Sequence, residues 1–146
     1  MRRTTFNFNK EILLGECGAL LLANLAAPVA AHFTTDPSII AWVAVGATLS
    51  GGALFWLLTR IYDQRKYAQL SARTMARDIG YFTPAAVTFS ALVYNPALYF
   101  LSEHLLQRGS GVSVAVLIAQ VTAFSLFLAC LNLYRLALFK FWGKSL

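Results

Sequence analysis

The sequence predicts an all-α integral membrane protein: a bundle of four transmembrane helices, with both termini on the cytoplasmic side. Three observations carry that prediction. Hydrophobic residues make up 58% of the 146-residue chain and charged ones only 12%, against roughly 25% charged in a water-soluble domain. The apolar residues gather into four runs, each near the roughly 20 residues that cross a hydrocarbon core. The polar residues gather between the runs. Arg60 to Asp78 is the one long polar stretch, and it holds Arg60, Arg65, Lys66, Arg73 and Arg77. The chain therefore reads as a single membrane domain over 1–146, with spans near 12–31, 39–62, 79–104 and 112–139 and a basic loop at 63–78.

The head of the chain is short and basic, with Arg2, Arg3 and Lys10. The first span follows from Ile12 to Ala31. It reads as a retained span rather than a cleaved leader. Glu16 interrupts its apolar run, and the run exceeds the usual 7–15 residues of a leader's apolar region. Gly15, Ala19, Ala23, Ala27 and Ala31 recur every fourth residue. That spacing sets small side chains in one row, against which a neighbouring helix packs closely in lipid. Pro28 lies near the helix end, where a lost backbone hydrogen bond costs least.

His32 to Pro37 is a tight connection, and Ser38 is the expected N-cap of the second span. Gly46 to Ala53 forms a small-residue centre in that span. Trp42 suits an interfacial position, and Trp56 lies deeper. Pro84 falls in the first turns of the third span, where proline is tolerated. Pro96, after Asn95, falls in its middle and predicts a kink or a freed carbonyl. Ser102 to Gly111 is the next loop. The fourth span ends in an aromatic and basic group: Tyr134, Arg135, Lys140, Phe141, Trp142 and Lys144.

Charge sets the orientation. The head, the central loop and the tail hold eleven of the twelve Lys and Arg residues, and the short connections hold only Arg108. Basic connections stay on the cytoplasmic side. The termini and the loop are thus expected inside, in a multi-pass protein of the cytoplasmic membrane. The net charge of +6 follows this topology. It points to an anionic lipid surface as partner, not to nucleic acid.

The spans also pair as two halves offset by 72 residues. Ala19 falls on Ala91, His32 on His104, Ser38 on Ser110, Ala47 on Ala119 and Tyr62 on Tyr134. A parallel duplication leaves such traces, and so does chance matching within a small apolar alphabet. The layout resembles the GtrA-like family of small four-span membrane proteins. Ile12-Leu13-Leu14-Gly15 is similar to that family's opening. Leu57-Leu58-Thr59-Arg60-Ile61-Tyr62 and Leu131-Asn132-Leu133-Tyr134-Arg135 are similar to its span endings. Thr59 stands where the family tends to have Asn, and Glu16 and Asn95-Pro96 lie outside its pattern. The resemblance implies a role in handling polyprenyl-phosphate-linked sugars.

Glu16 is the one carboxylate well inside a span, and such a group is a functional candidate. The expectation is a polar partner at hydrogen-bonding distance, Arg60 or Arg135 first, either as a structural lock or as part of an anion site with Asn132. Asn24, Asn95, Gln120 and Asn132 are the intramembrane amides, expected to bond between helices or to line a polar cleft. Cys17 and Cys130 lie in apolar runs and read as small hydrophobes. His32, His104, Asp36 and Glu103 do not have metal-ligand spacing. No catalytic motif is visible, so no enzyme activity, metal or cofactor is expected. The readings that remain are binding or translocation of an anionic lipid, an accessory subunit of a membrane complex or a self-associating protein, and a small oligomeric channel or transporter.

Overall fold

The computed structural model describes the backbone of residues 2–66 and 84–142. Among the described residues four helices make up the fold: α1 (Arg2–Ala31), α2 (Pro37–Lys66), α3 (Pro84–Gln107) and α4 (Val112–Trp142). Each contains a segment long and apolar enough to cross a membrane: Ile12–Ala31, Pro37–Tyr62, Pro84–Gln107 and Val112–Ala137. The four expected spans are therefore present. The start expected for the third, and the central loop beyond Lys66, lie outside the described residues. Asp63 to Lys66, expected in the loop, instead continue α2.

Both short turns are set by local chemistry. The N-cap of α2 is Asp36, not Ser38: the Asp36 carboxylate accepts the Ser38 N–H at 2.9 Å. Pro37 then occupies the first helical position, where its missing N–H leaves nothing unsatisfied. Ser38 instead shares a 2.7 Å hydrogen bond with the Tyr99 hydroxyl of α3, and Trp42 packs on the same Tyr99 ring at 4.9 Å. At the other turn, Gly109 adopts φ +80°. Its N–H bonds Leu106 O at 2.9 Å and the Ser110 N–H bonds Leu105 O at 3.1 Å. This double closure needs a left-handed residue, which glycine supplies without strain.

Packing runs around a ring. α1 lies against α2, α2 against α3, α3 against α4, and α4 against α1. The two short turns share one end of the bundle, and among the described residues Lys10, Arg60, Arg135 and Lys140 lie toward the other, with Arg108 in a short turn. The row Gly15, Ala19, Ala23 and Ala27 is buried, as expected. Ala23 and Ala27 meet Ile40, Ala44 and Val116. The small centre of α2 divides between two faces. Thr48 and Gly51 are buried, while Gly46, Ser50 and Ala53 are exposed. The second core cluster joins Val45, Tyr94, Leu98, Ala119 and Ala123. Large apolar side chains such as Leu21, Leu25, Leu58, Leu92, Leu117 and Leu133 point outward. Alanine is the commonest buried residue in the centre, with polar Thr48, Ser102 and Gln120 and a few larger side chains such as Leu98 and Leu131 beside it. That inversion suits a bundle solvated by lipid tails, where close packing and interhelical hydrogen bonds hold helices together.

Candidate functional site

The site begins with a backbone irregularity. Pro96 has no N–H to give to the turn before it, and its ring crowds the carbonyl four residues back. The chain answers with a π-helical turn, Ser90–Tyr94, closed by the Asn95 N–H on Ser90 O. The expected consequence of Pro96 is therefore this wider turn. A π turn adds a residue to the helical circuit and re-aims the side chains beside it. Tyr94, the last residue of the turn, is buried at 5% exposure and points into the bundle.

Its hydroxyl donates to both carboxylate oxygens of Glu16, at 3.0 Å to Oε1 and 3.2 Å to Oε2. The Tyr94 ring is braced edge-on by Phe127 of α4 at 5.6 Å. A second interhelical bond lies alongside, where Gln120 Nε2 donates to Thr48 Oγ1 at 3.4 Å. Gln120 is also within polar contact range of Glu16, and both Gln120 and Thr48 are within that range of the Tyr94 hydroxyl. These four residues come one from each helix. Glu16 and Tyr94 join α1 to α3; Thr48 and Gln120 join α2 to α4. Those are the two diagonals of the ring, so the polar cluster sits on the bundle axis. Counted from the short-turn end at 1.5 Å per residue, Gln120 lies about 12 Å deep, Thr48 about 16 Å, Tyr94 about 20 Å and Glu16 about 22 Å. In a core roughly 30 Å thick, that is its middle and the half toward the basic end.

The expected polar partner of Glu16 is thus present, but it is a phenol from α3, supported by the Gln120 amide, rather than the Arg60 or Arg135 placed first. Arg135 is buried at 8% exposure, one turn beyond buried Leu131 on α4. Arg60 is half-buried near the basic end of α2, and both arginines are engaged in interactions of their own. The amides divide. Gln120 bonds across the bundle. Asn24 donates to Leu20 O and Asn132 to Leu128 O, each at 2.9 Å within its own helix, where interhelical bonds were expected. Asn95 receives a 3.5 Å contact from Ser90, also within its helix. Cys17 faces outward and Cys130 is half-buried. Among the described residues no cluster of His, Cys, Asp and Glu is large enough to hold a metal ion.

Tyr94 and Thr48 were not among the residues singled out from the sequence. Two signals pointed at them. Tyr94 immediately precedes the flagged Asn95-Pro96 pair. Thr48 falls on Gln120 at the same offset of 72 that aligns Ala47 with Ala119. Comparison with protein-family models, curated proteins and solved structures finds no match. The likeness to the GtrA-like family therefore rests on the residues quoted for it.

Proposed function

We propose that the chain is a multi-pass protein of the cytoplasmic membrane, termini inside, that binds an anionic lipid at its basic end and helps it to cross. The lipid class is a polyprenyl phosphate or a similar phosphate-bearing lipid. The observation that carries this reading is Arg135. A guanidinium held at 8% exposure near the basic end of α4 is a functional candidate by its place in a span, alongside the interactions it makes within the protein. Its planar fork matches a phosphate better than an ammonium does. Arg60 stands near the same end of α2, and eleven of the twelve Lys and Arg residues belong to segments on that side. Such a face attracts anionic head groups at about 1 kcal/mol per basic residue near the surface. The likeness to the GtrA-like family points the same way.

Native mass spectrometry of the gently extracted protein tests this. The wild type is expected to retain a phosphate-bearing lipid. Arg60→Ala with Arg135→Ala should reduce that retention by about tenfold, as expected for the loss of one to two charge-assisted contacts. Arg108→Ala, at the short-turn end, should leave it unchanged. A wild type that retains no anionic lipid, or a double variant that retains it equally, overturns the reading.

One observation favours the accessory-subunit reading as a second possibility. Gly46, Ser50 and Ala53 form an exposed small-residue strip on α2, and small strips admit a neighbouring helix in lipid. Copurification from native membranes decides it: a chain that migrates alone removes the reason to hold it.

A further inference from the structure

The cluster on the bundle axis is rich in oxygen acceptors. Glu16 brings two carboxylate oxygens, Thr48 and Tyr94 one hydroxyl oxygen each, and Gln120 an amide carbonyl. The Gln120 carbonyl is the decisive atom. Its side chain is fully buried, yet Oε1 has no hydrogen-bond partner. A buried acceptor without a donor costs stability, and natural structures keep few of them. The other end of the amide donates to Thr48 over a long 3.4 Å bond and lies in polar contact range of Glu16 and of the Tyr94 hydroxyl. Amide nitrogen and oxygen are told apart only by their hydrogen bonds. A half-turn of this amide brings its oxygen, in place of the nitrogen, round to face Thr48, Glu16 and Tyr94, an arrangement that a cation between those oxygens would favour.

We infer that Glu16, Tyr94, Gln120 and Thr48 form a binding site for an alkali-metal cation. The donor set is all oxygen, which hard cations take. Its charge selects a monovalent ion. The cluster has a single carboxylate, so one positive charge neutralises it. A divalent ion would leave a net charge at the centre of a low-dielectric bundle, where uncompensated charge is expensive. Its position also suits an ion. Irregular helical backbone at membrane depth is tolerated where it is enclosed by protein or shapes a site, and the π turn places Tyr94 at the carboxylate. The Tyr94 hydroxyl donates to Glu16 and fixes the carboxylate plane, so its role is to position the charge. Gln120 and Thr48 supply neutral oxygens from the other diagonal.

The test uses the full-length protein in detergent, at matched ionic strength in sodium chloride, potassium chloride or choline chloride. Thermal unfolding and carbodiimide labelling of Glu16, followed by intact mass, are the two readouts. A carbodiimide adds to an unoccupied, protonated carboxyl in apolar surroundings, so an ion held at Glu16 slows it. Sodium or potassium is expected to raise the Tm by about 3 °C over choline at saturation. The same ion should slow labelling roughly tenfold when present at ten times its Kd. Gln120→Leu should keep the labelling of Glu16 and lose both ion effects, which shows that the fold has survived. Glu16→Gln should lose the label and the ion effects together. Wild-type behaviour that is the same in all three salts, protection that follows pH alone, or a Gln120→Leu variant with the full ion response would each overturn the site.

Discussion

The two helix pairs are built from spans of similar length and apolarity, yet they pack by different means. In α1–α2 glycines on both sides bring the two backbones together, with Phe55 and Ile40 packed beside them. A Cβ added at Gly51 would meet the Gly18 carbonyl group and Ala19 N, and one added at Gly18 would meet Gly51 O and the Phe55 ring. Backbone lies on backbone. In α3–α4 the seam is large against small: Tyr94 and Leu98 of α3 fit against Ala119 and Ala123 of α4. There the backbone is irregular, with Pro96 and the π turn before it. The first pair has no room for a long polar side chain in its seam. The second has the space and the geometry to send Tyr94 across to Glu16. One pair acts as a clamp and the other carries the polar chemistry.

That contrast breaks most easily at the clamp. Gly18→Leu or Gly51→Leu should be the most damaging single change in the bundle, because the new side chain runs into opposing backbone that cannot step aside. Overpacking costs about 1–3 kcal/mol where neighbours can shift, and the upper end or beyond is expected here. Size-exclusion chromatography in detergent should show loss of the monodisperse peak. Gly46→Leu is the matched control on the same helix. Nothing lies within 4 Å of its added Cβ, and the peak should be unchanged. Equal damage at Gly46 and Gly51 would dissolve the distinction between the inner and outer faces of α2.

The next effect belongs to the second pair. Tyr94→Phe keeps the ring and its packing on Phe127, and removes the hydroxyl that donates to Glu16 and that Gln120 and Thr48 approach. A hydrogen bond contributes about 1 kcal/mol, or about 1.5–3 kcal/mol when its partner is ionised. A loss near the lower figure is expected, since Gln120 remains beside the carboxylate. Reversible unfolding in a denaturing detergent mixture measures it. If Tyr94→Phe leaves stability unchanged while Glu16→Gln lowers it, the carboxylate is held by something other than the phenol.

Much of this fold was legible in the sequence, because bilayer thickness and charge placement act on whole segments. The four spans, the small row of α1 and the disturbance at Pro96 were each readable from one helix at a time. The cluster was only half legible. Glu16 and Gln120 stand out as polar groups in apolar runs, but which helix faces which is a property of the assembled ring. Arginine ranked first for Glu16 on charge alone. The partner was a tyrosine that a π turn had rotated inward, and helical periodicity does not foresee that rotation. Ser38 was misjudged for a simpler reason: Asp36 two residues earlier is an equally good cap, and Pro37 between them decides in its favour.

The smallest expected effect tests the join between the two pairs. Thr48 and Gln120 lie 72 residues apart, the offset at which the two halves of the sequence align, and they meet across the α2–α4 diagonal. In a bundle made of two parallel repeats, equivalent residues touch only where they lie on the axis that relates the halves. Their bond, at 3.4 Å, is long, and measured interhelical hydrogen bonds in membranes average about 0.6 kcal/mol. A double-mutant cycle with Thr48→Val and Gln120→Leu should therefore give a coupling of about that size. The single Thr48→Val should cost more than the bond alone, because it takes an acceptor from a fully buried amide whose carbonyl already has no partner. The double variant should regain part of that loss, since replacing both partners by apolar groups removes the orphaned atoms along with the bond. A coupling near zero would mean that the two side chains merely lie side by side, and the diagonal contact would then owe its place to the small residues around it.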